Sequence, residues 1–212
     1  MKPIQTHEKE HVFLNSPGYL EIICGPMFSG KTEELIRKIR RFKYAKVKTV
    51  VFKPHVDTRH QKDLVISHSL QQVESISVDS IDAIKQYLTH IYHDAQVVAF
   101  DEVQFFSHEI VNLIEELVQK GKKVLAAGLT QDYLSRPFGP MPQLLCQADF
   151  ITKLLSICMQ CGSLASKTHR IGSNKNTNEQ VLIGDCNQYE ALCRNCYSNY
   201  FSKQGNSNGQ SL

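Results

Sequence analysis

Gly25-Pro26-Met27-Phe28-Ser29-Gly30-Lys31-Thr32 decides the reading of this chain. It fits G-x-x-x-x-G-K-[ST] completely, and it sits between an apolar run, Tyr19–Cys24, and a helical pattern, Lys31–Lys43. That context is what the motif needs. The glycines let the backbone curl until successive N–H groups converge on phosphate oxygens, and the following helix points its positive end at them. Lys31 then reaches the β- and γ-phosphates, and the Thr32 hydroxyl is placed to ligate Mg²⁺. The plainer alternative, a glycine turn that matches by chance, does not account for the strand before it and the helix after it.

Working outward, short apolar runs alternate with helical patterns. Tyr19–Cys24, Val47–Phe52, Val73–Val78, Gln96–Phe100 and Lys123–Ala127 read as strands. Lys31–Lys43, Ser80–Tyr92 and Ser107–Lys120 read as helices, the last with Ile110, Leu113, Ile114 and Leu117 at helical spacing and Gly121 as its stop. This alternation predicts an α/β fold: a mostly parallel sheet with helices on both faces. The run Val97–Phe100 ends in Asp101-Glu102, which supplies the usual carboxylate partner of a phosphate loop. Asp101 is placed to hold magnesium, directly or through water. Glu102 is placed either to orient a hydrolytic water or to take a proton from a substrate hydroxyl. Gln104, Phe105, Tyr133 and Phe138 put an amide and aromatics near that carboxylate, which suits a flat, hydrogen-bonding substrate such as a nucleobase; the plainer fate of any one of these aromatics is the core.

Size and composition set limits. The chain has 212 residues, with 24 Lys+Arg against 21 Asp+Glu and a formal charge of +3, too mild to imply a polyanionic partner. No run approaches the roughly 18 apolar residues of a membrane helix, and the stretch MKPIQTHEKEHVF lacks the apolar core of a secretory leader. The expectation is a chain that is neither secreted nor membrane-bound. Residues 1–17 read as a loose arm, 18–150 as the α/β domain, 151–200 as a small lobe and 201–212 as a disordered tail.

Seven cysteines in such a chain argue against a disulfide framework. Four of them form two C-x-x-C pairs, Cys158/Cys161 and Cys193/Cys196. Four thiolates at that pair spacing can form a closed tetrahedral Zn²⁺ site, the plainer alternative being four buried or free thiols. The metal would stand in for the core that the lobe lacks. Neither pair is expected to open a helix after a strand, which sets a redox C-x-x-C aside. Cys24 reads as a core residue, and Cys146 and Cys186 carry no assignment.

Taken together, GPMFSGKT, the Asp101–Phe106 segment DEVQFF and the two C-x-x-C pairs resemble the thymidine kinase family of the zinc-containing, cellular and bacterial type. The likeness runs from about Gly18 to Tyr200 and includes Asp57-Thr58-Arg59, Ser67-His68 and Ile183-Gly184…Tyr189. It implies a RecA-like P-loop domain and a zinc lobe carrying a lasso loop. It implies transfer of the γ-phosphate of ATP to the thymidine 5′-hydroxyl, with Glu102 as proton acceptor. ATP would lie on Gly25, Pro26, Met27, Phe28, Ser29, Gly30, Lys31 and Thr32, on Asp101, Glu102, Val103 and Gln104, and under Asp57, Thr58 and Arg59. Met27, Phe105, Tyr133 and Phe138 would surround the base, and Gln180, Val181, Leu182, Ile183, Gly184 and Tyr189 would close on it. The resemblance further implies a cytoplasmic homotetramer inhibited by thymidine triphosphate. The chain departs from the family pattern at Val103, at Thr130, Tyr133, Ser135 and Arg136, and at Cys186.

Arg37, Lys38, Arg40, Arg41, Lys43, Lys46 and Lys48 cluster after the phosphate loop. A rival reading makes this a nucleic-acid stripe on a P-loop ATPase with a zinc ribbon. A third class is a zinc-ribbon interaction module with a silent nucleotide site. The balanced charge elsewhere favours a solvated helix face with Leu35, Ile36, Ile39 and Phe42 turned inward.

Overall fold

The computed structural model describes residues 17–56, 64–66, 72–171 and 188–207. Its centre is a six-stranded sheet in the order β5-β2-β6-β7-β1-β8, with every neighbouring pair parallel. The strands are β1 (Tyr19–Cys24), β2 (Thr49–Pro54), β5 (Ile76–Val78), β6 (Val97–Phe100), β7 (Lys123–Gly128) and β8 (Phe150–Lys153). Because all six run the same way, the carboxyl ends of β1, β2, β6 and β7 open on one rim, where an open α/β sheet binds ligands. β7 lies between the strand that leads into the phosphate loop and the strand that ends at Asp101, the RecA-like arrangement.

Period-two alternation divides the core between the two faces. Leu20, Ile22, Val98, Phe100, Val124 and Ala126 point to one side, where α2 (Ile81–His90), α3 (Glu109–Gln119) and α4 (Met141–Gln147) cover them. Ile23, Val97, Ala99, Leu125 and Ala127 point to the other, against Leu35, Ile36 and Ile39 of α1 (Lys31–Tyr44). Helices therefore cover both faces, as the alternation predicts. Val73–Val78, read as one strand, divides at the buried Ser75: β4 (Gln72–Glu74) pairs antiparallel with β3 (Leu64–Ile66), and β5 joins the main sheet.

Three cations of the basic cluster on and after α1 are engaged in ion pairs. Arg37 pairs with Glu34, Lys38 with both Glu21 and Glu34, and Lys48 with Asp94.

Beyond β8 the chain builds a lobe from two small antiparallel pairs. These are β9 (Ser156–Ile157) with β10 (Leu164–Ala165), and β11 (Lys167–Arg170) with β12 (Tyr189–Leu192). α5 (Arg194–Ser207) follows and crosses the expected start of the tail at 201. Among the described residues, the lobe's small buried cluster is Cys158, Ala165, Ala191 and Leu192. One expectation is corrected here: Cys193 directly follows β12 and α5 begins at Arg194, so the second C-x-x-C does open a helix after a strand. The four-residue strand YEAL was too short and too weakly patterned to be read as one.

Candidate active site and cysteine centre

The phosphate loop joins β1 to α1 on the common rim. Gly30 stands at φ 80°, a left-handed conformation that glycine adopts without strain, and begins α1. Lys31 is buried, and its Nζ donates to the Pro26 carbonyl at 2.8 Å, so the ammonium already curls back over the loop. Thr32 Oγ1 donates to Asp101 Oδ2 at 3.4 Å. The two groups expected to share a magnesium thus face each other across β1 and β6, though they lie 69 residues apart. A hydroxyl and a buried carboxylate are hard oxygen donors, which fits that ion.

Glu102 is buried and sits at φ 49°, ψ 43°, where a non-glycine residue is strained. The strain turns its side chain at the head of a single 3-10 turn, Val103–Phe105. Gln104 then holds it: the amide Nε2 donates to Glu102 Oε2, while Gln104 Oε1 accepts from the Leu129 amide at 3.0 Å. A carboxylate at the end of β6 is thereby referenced to the end of β7. The backbone behind it is tightly packed. A Cβ on Gly139 would lie 2.2 Å from the Gln104 carbonyl oxygen, and one on Gly128 would lie 2.9 Å from Val103 Cγ1. Val103 itself is fully buried in the core.

Phe105, whose amide donates to the Glu102 carbonyl at 3.1 Å, meets the buried Phe138 edge to face at 5.5 Å, an aromatic wall beside that turn. Tyr133 lies on the same loop after β7, with the Arg170 guanidinium 5.5 Å from its ring centroid. Asp132, which sequence reasoning passed over, organises this loop. Its buried carboxylate accepts from the Leu134 and Arg136 amides at 2.9 and 2.8 Å and from Arg136 Nε at 3.0 Å. Tyr189 is buried at the start of β12. Asp57, Thr58, Arg59, Gln180, Val181, Leu182, Ile183, Gly184 and Cys186 lie outside the described residues.

The Sγ atoms of Cys158, Cys161, Cys193 and Cys196 all lie within 4.8 Å of one another, and Cys161 and Cys193 are 3.7 Å apart. The edge of a tetrahedron with Zn–S bonds of ~2.3 Å is about 3.8 Å, so the cluster has the dimensions of a metal-thiolate site. Burial pushes the Cys158 thiol up, but surrounding backbone N–H groups outweigh it and hold the thiol down at about 6. Contact with Cys161 and Cys193 pushes Cys196 up to about 12. Four sulfurs this close resist carrying four negative charges together, and a dication relieves that repulsion. Convergence of both pairs on one point, rather than the position of either pair, is what argues against a redox dithiol.

The lobe also grips the phosphate loop. The Met27 amide donates to Thr168 Oγ1 at 3.0 Å, and Ser156 Oγ donates to the Phe28 carbonyl at 3.0 Å. Phe28, at a strained φ of 62°, packs against the lobe's small core. Neither Thr168 nor Ser156 carries a local motif, and their loop partners are 141 and 128 residues away.

A family model described as thymidine kinase matches residues 18–197. The chain belongs to the thymidine kinase family. A thymidine kinase from Bacteroides thetaiotaomicron is 44% identical over 180 residues, covering 85% of this chain and 87% of that relative. Among solved structures, the DotB ATPase of Legionella pneumophila aligns over 68% of this chain and 38% of its own, with 13% identity and a TM-score of 0.39. The fold assignment rests on the strand order and the phosphate loop instead. No helix among the described residues is long and apolar enough to cross a membrane.

Proposed function

We propose that this chain is an ATP:thymidine 5′-phosphotransferase that makes thymidine monophosphate and ADP for nucleoside salvage. The observation that carries the reading is Glu102, buried and held by Gln104 beside the Phe105–Phe138 wall, on the same rim as the phosphate loop. An ATPase needs the loop and Asp101 but has no use for an aromatic wall beside the carboxylate.

The mechanism is phosphoryl transfer, in which the protein's work is positioning and charge stabilisation. Backbone N–H groups of Gly25–Thr32 cradle the triphosphate, and Lys31 exchanges the Pro26 carbonyl for phosphate oxygens. Thr32 and Asp101 would hold Mg²⁺, which supplies charge neutralisation. Phe105, Phe138 and Tyr133 orient the base so that its 5′-hydroxyl points at the γ-phosphate. Glu102 accepts the hydroxyl proton late, because a carboxylate is a far weaker base than an alkoxide. The four cysteines would hold a structural Zn²⁺, with no step in the chemistry. Asp57–Arg59 and Gln180–Gly184 with Tyr189 complete the proposed contacts to ATP and thymidine, while the fully buried Val103 packs behind Glu102.

A cytoplasmic homotetramer subject to feedback by thymidine triphosphate completes the proposal and is supported by family membership. Residues 18–150 then form the kinase domain and 151–200 the lobe. The deciding assay is ADP release with a panel of nucleosides, and with DNA and RNA in parallel. Stimulation by thymidine supports the kinase; stimulation by nucleic acid alone would establish the rival ATPase.

A further inference from the structure

The loop bearing Tyr133 and Phe138 is closed on itself. Asp132 binds its turn, Gln131 bridges to Pro137, and the Phe138 amide donates to the Thr130 carbonyl at 3.3 Å. Such a loop moves as a unit, so its orientation depends on what holds its outside. On the sheet side that is the Phe105–Phe138 contact. On the far side, among the described residues, the cysteine lobe supplies at least three holds. Tyr197 Oη donates to the Tyr133 carbonyl at 2.8 Å, Lys167 Nζ donates to Gln131 Oε1 at 2.9 Å, and Arg170 lies over the Tyr133 ring. Lys167 Nζ also sits 5.6 Å from the Tyr197 ring centroid, which joins two of the holds.

Tyr197 is fixed at its other end by the cysteine pair. It immediately follows Cys196, its amide donates to the Cys193 carbonyl at 3.0 Å, and the Cys196 amide donates to Cys193 Sγ at 3.4 Å. The hydroxyl that reaches Tyr133 is therefore only one side chain away from the thiolate cluster.

We propose that Tyr197, supported by Lys167, is a positioning residue for the nucleoside: it sets Tyr133 from the cysteine lobe and so fixes the outer wall of the acceptor pocket. The proposal rests on the reading of Tyr133 as a nucleoside contact. It assigns the lobe a part in acceptor binding through the loop after β7, separate from the segment between β11 and β12.

The test uses full-length, metal-loaded protein with Tyr197→Phe and Lys167→Met, which remove two of the lobe's holds one at a time. Steady-state kinetics and calorimetric titration with thymidine alone are the readouts. Each variant should raise the KM and Kd for thymidine roughly 3- to 10-fold, the range that one hydrogen bond commands. Turnover and the KM for ATP should stay within about twofold, with metal content unchanged. The double variant should fall short of the product of the two single effects, because the groups share one loop. Unchanged thymidine affinity in both variants of an active enzyme overturns the proposal, as does an equal loss toward ATP and thymidine. A wild-type protein that phosphorylates no nucleoside overturns the functional reading instead, and this inference with it.

Discussion

The Met27 amide donates to Thr168 Oγ1 at 3.0 Å, tying the phosphate loop to a strand of the cysteine lobe 141 residues later. With Ser156 on the Phe28 carbonyl, it makes the loop a shared part of both units. Thr168→Val keeps the shape but removes the acceptor and leaves a half-buried amide without its partner. The expected cost is about 1–2 kcal/mol of stability, with weaker ATP binding. Thermal unfolding and ATP titration check it; an unaltered ATP affinity would show that the tie is structural only.

In the proposed mechanism the decisive task of Glu102 is to accept a proton. Glu102→Gln should leave ATP affinity within a few-fold while lowering turnover by roughly 100- to 10,000-fold. Near-normal kinase rates in that variant would remove Glu102 from the mechanism.

Gly139, at φ 49°, has no room for a methyl group, since its Cβ would meet the Gln104 carbonyl at 2.2 Å. That obstacle is backbone and cannot rotate away. Gly139→Ala should therefore destabilise the protein by about 2–4 kcal/mol and shift the Gln104 segment that holds Glu102. Turnover should fall further than a stability loss alone explains, measured well below the melting temperature. Gly121→Ala serves as the control, because at φ 78° it carries the same left-handed penalty while its Cβ meets nothing within 4 Å.

Metal removal should act on both ends of the site. The described part of the lobe buries only a small apolar cluster, so a thiol-competent chelator should lower the melting temperature and abolish thymidine binding. Titrating Zn²⁺ back should release protons, because several of the thiols must ionise to bind it. Metal analysis should give about one Zn²⁺ per chain. A metal-free protein with full activity would refute the centre.

What the sequence made legible was local. GPMFSGKT, DEVQFF and the C-x-x-C pairs are contiguous, and each implies its own strand or helix context. β1 lies over Tyr19–Cys24, where its apolar run places it. The contacts that join the kinase sheet to the lobe were illegible. Thr168, Ser156, Lys167 and Tyr197 are ordinary polar residues whose partners are dozens of positions away, and Asp132 acts only within a turn that the fold must first create. β11 and β12 have four residues each, like β6, but KTHR and YEAL lack the continuous apolar run that marks β6. The strained backbone at Phe28, Glu102 and Ser135 belongs to the same class, since no composition signal announces a left-handed non-glycine residue.

The α1 surface tests the rival reading through pH and salt. The Arg37 hydrogen bond holds the Glu34 carboxyl below its usual value of 4.5, with Lys38 adding to it. A depressed carboxylate contributes stability that is full above that usual value and is lost as pH falls through the lower folded value. Glu34→Gln should therefore lower stability slightly at neutral pH and flatten its acid dependence below pH 4.5. The variant also releases Arg37 and leaves Lys38 paired with Glu21 alone, so the net positive charge of the α1 surface rises. If α1 were a nucleic-acid stripe, that freed charge would strengthen DNA-stimulated ATP hydrolysis, with a steep salt dependence. The expected result is no DNA stimulation in either protein, with thymidine-dependent ADP release the same in both.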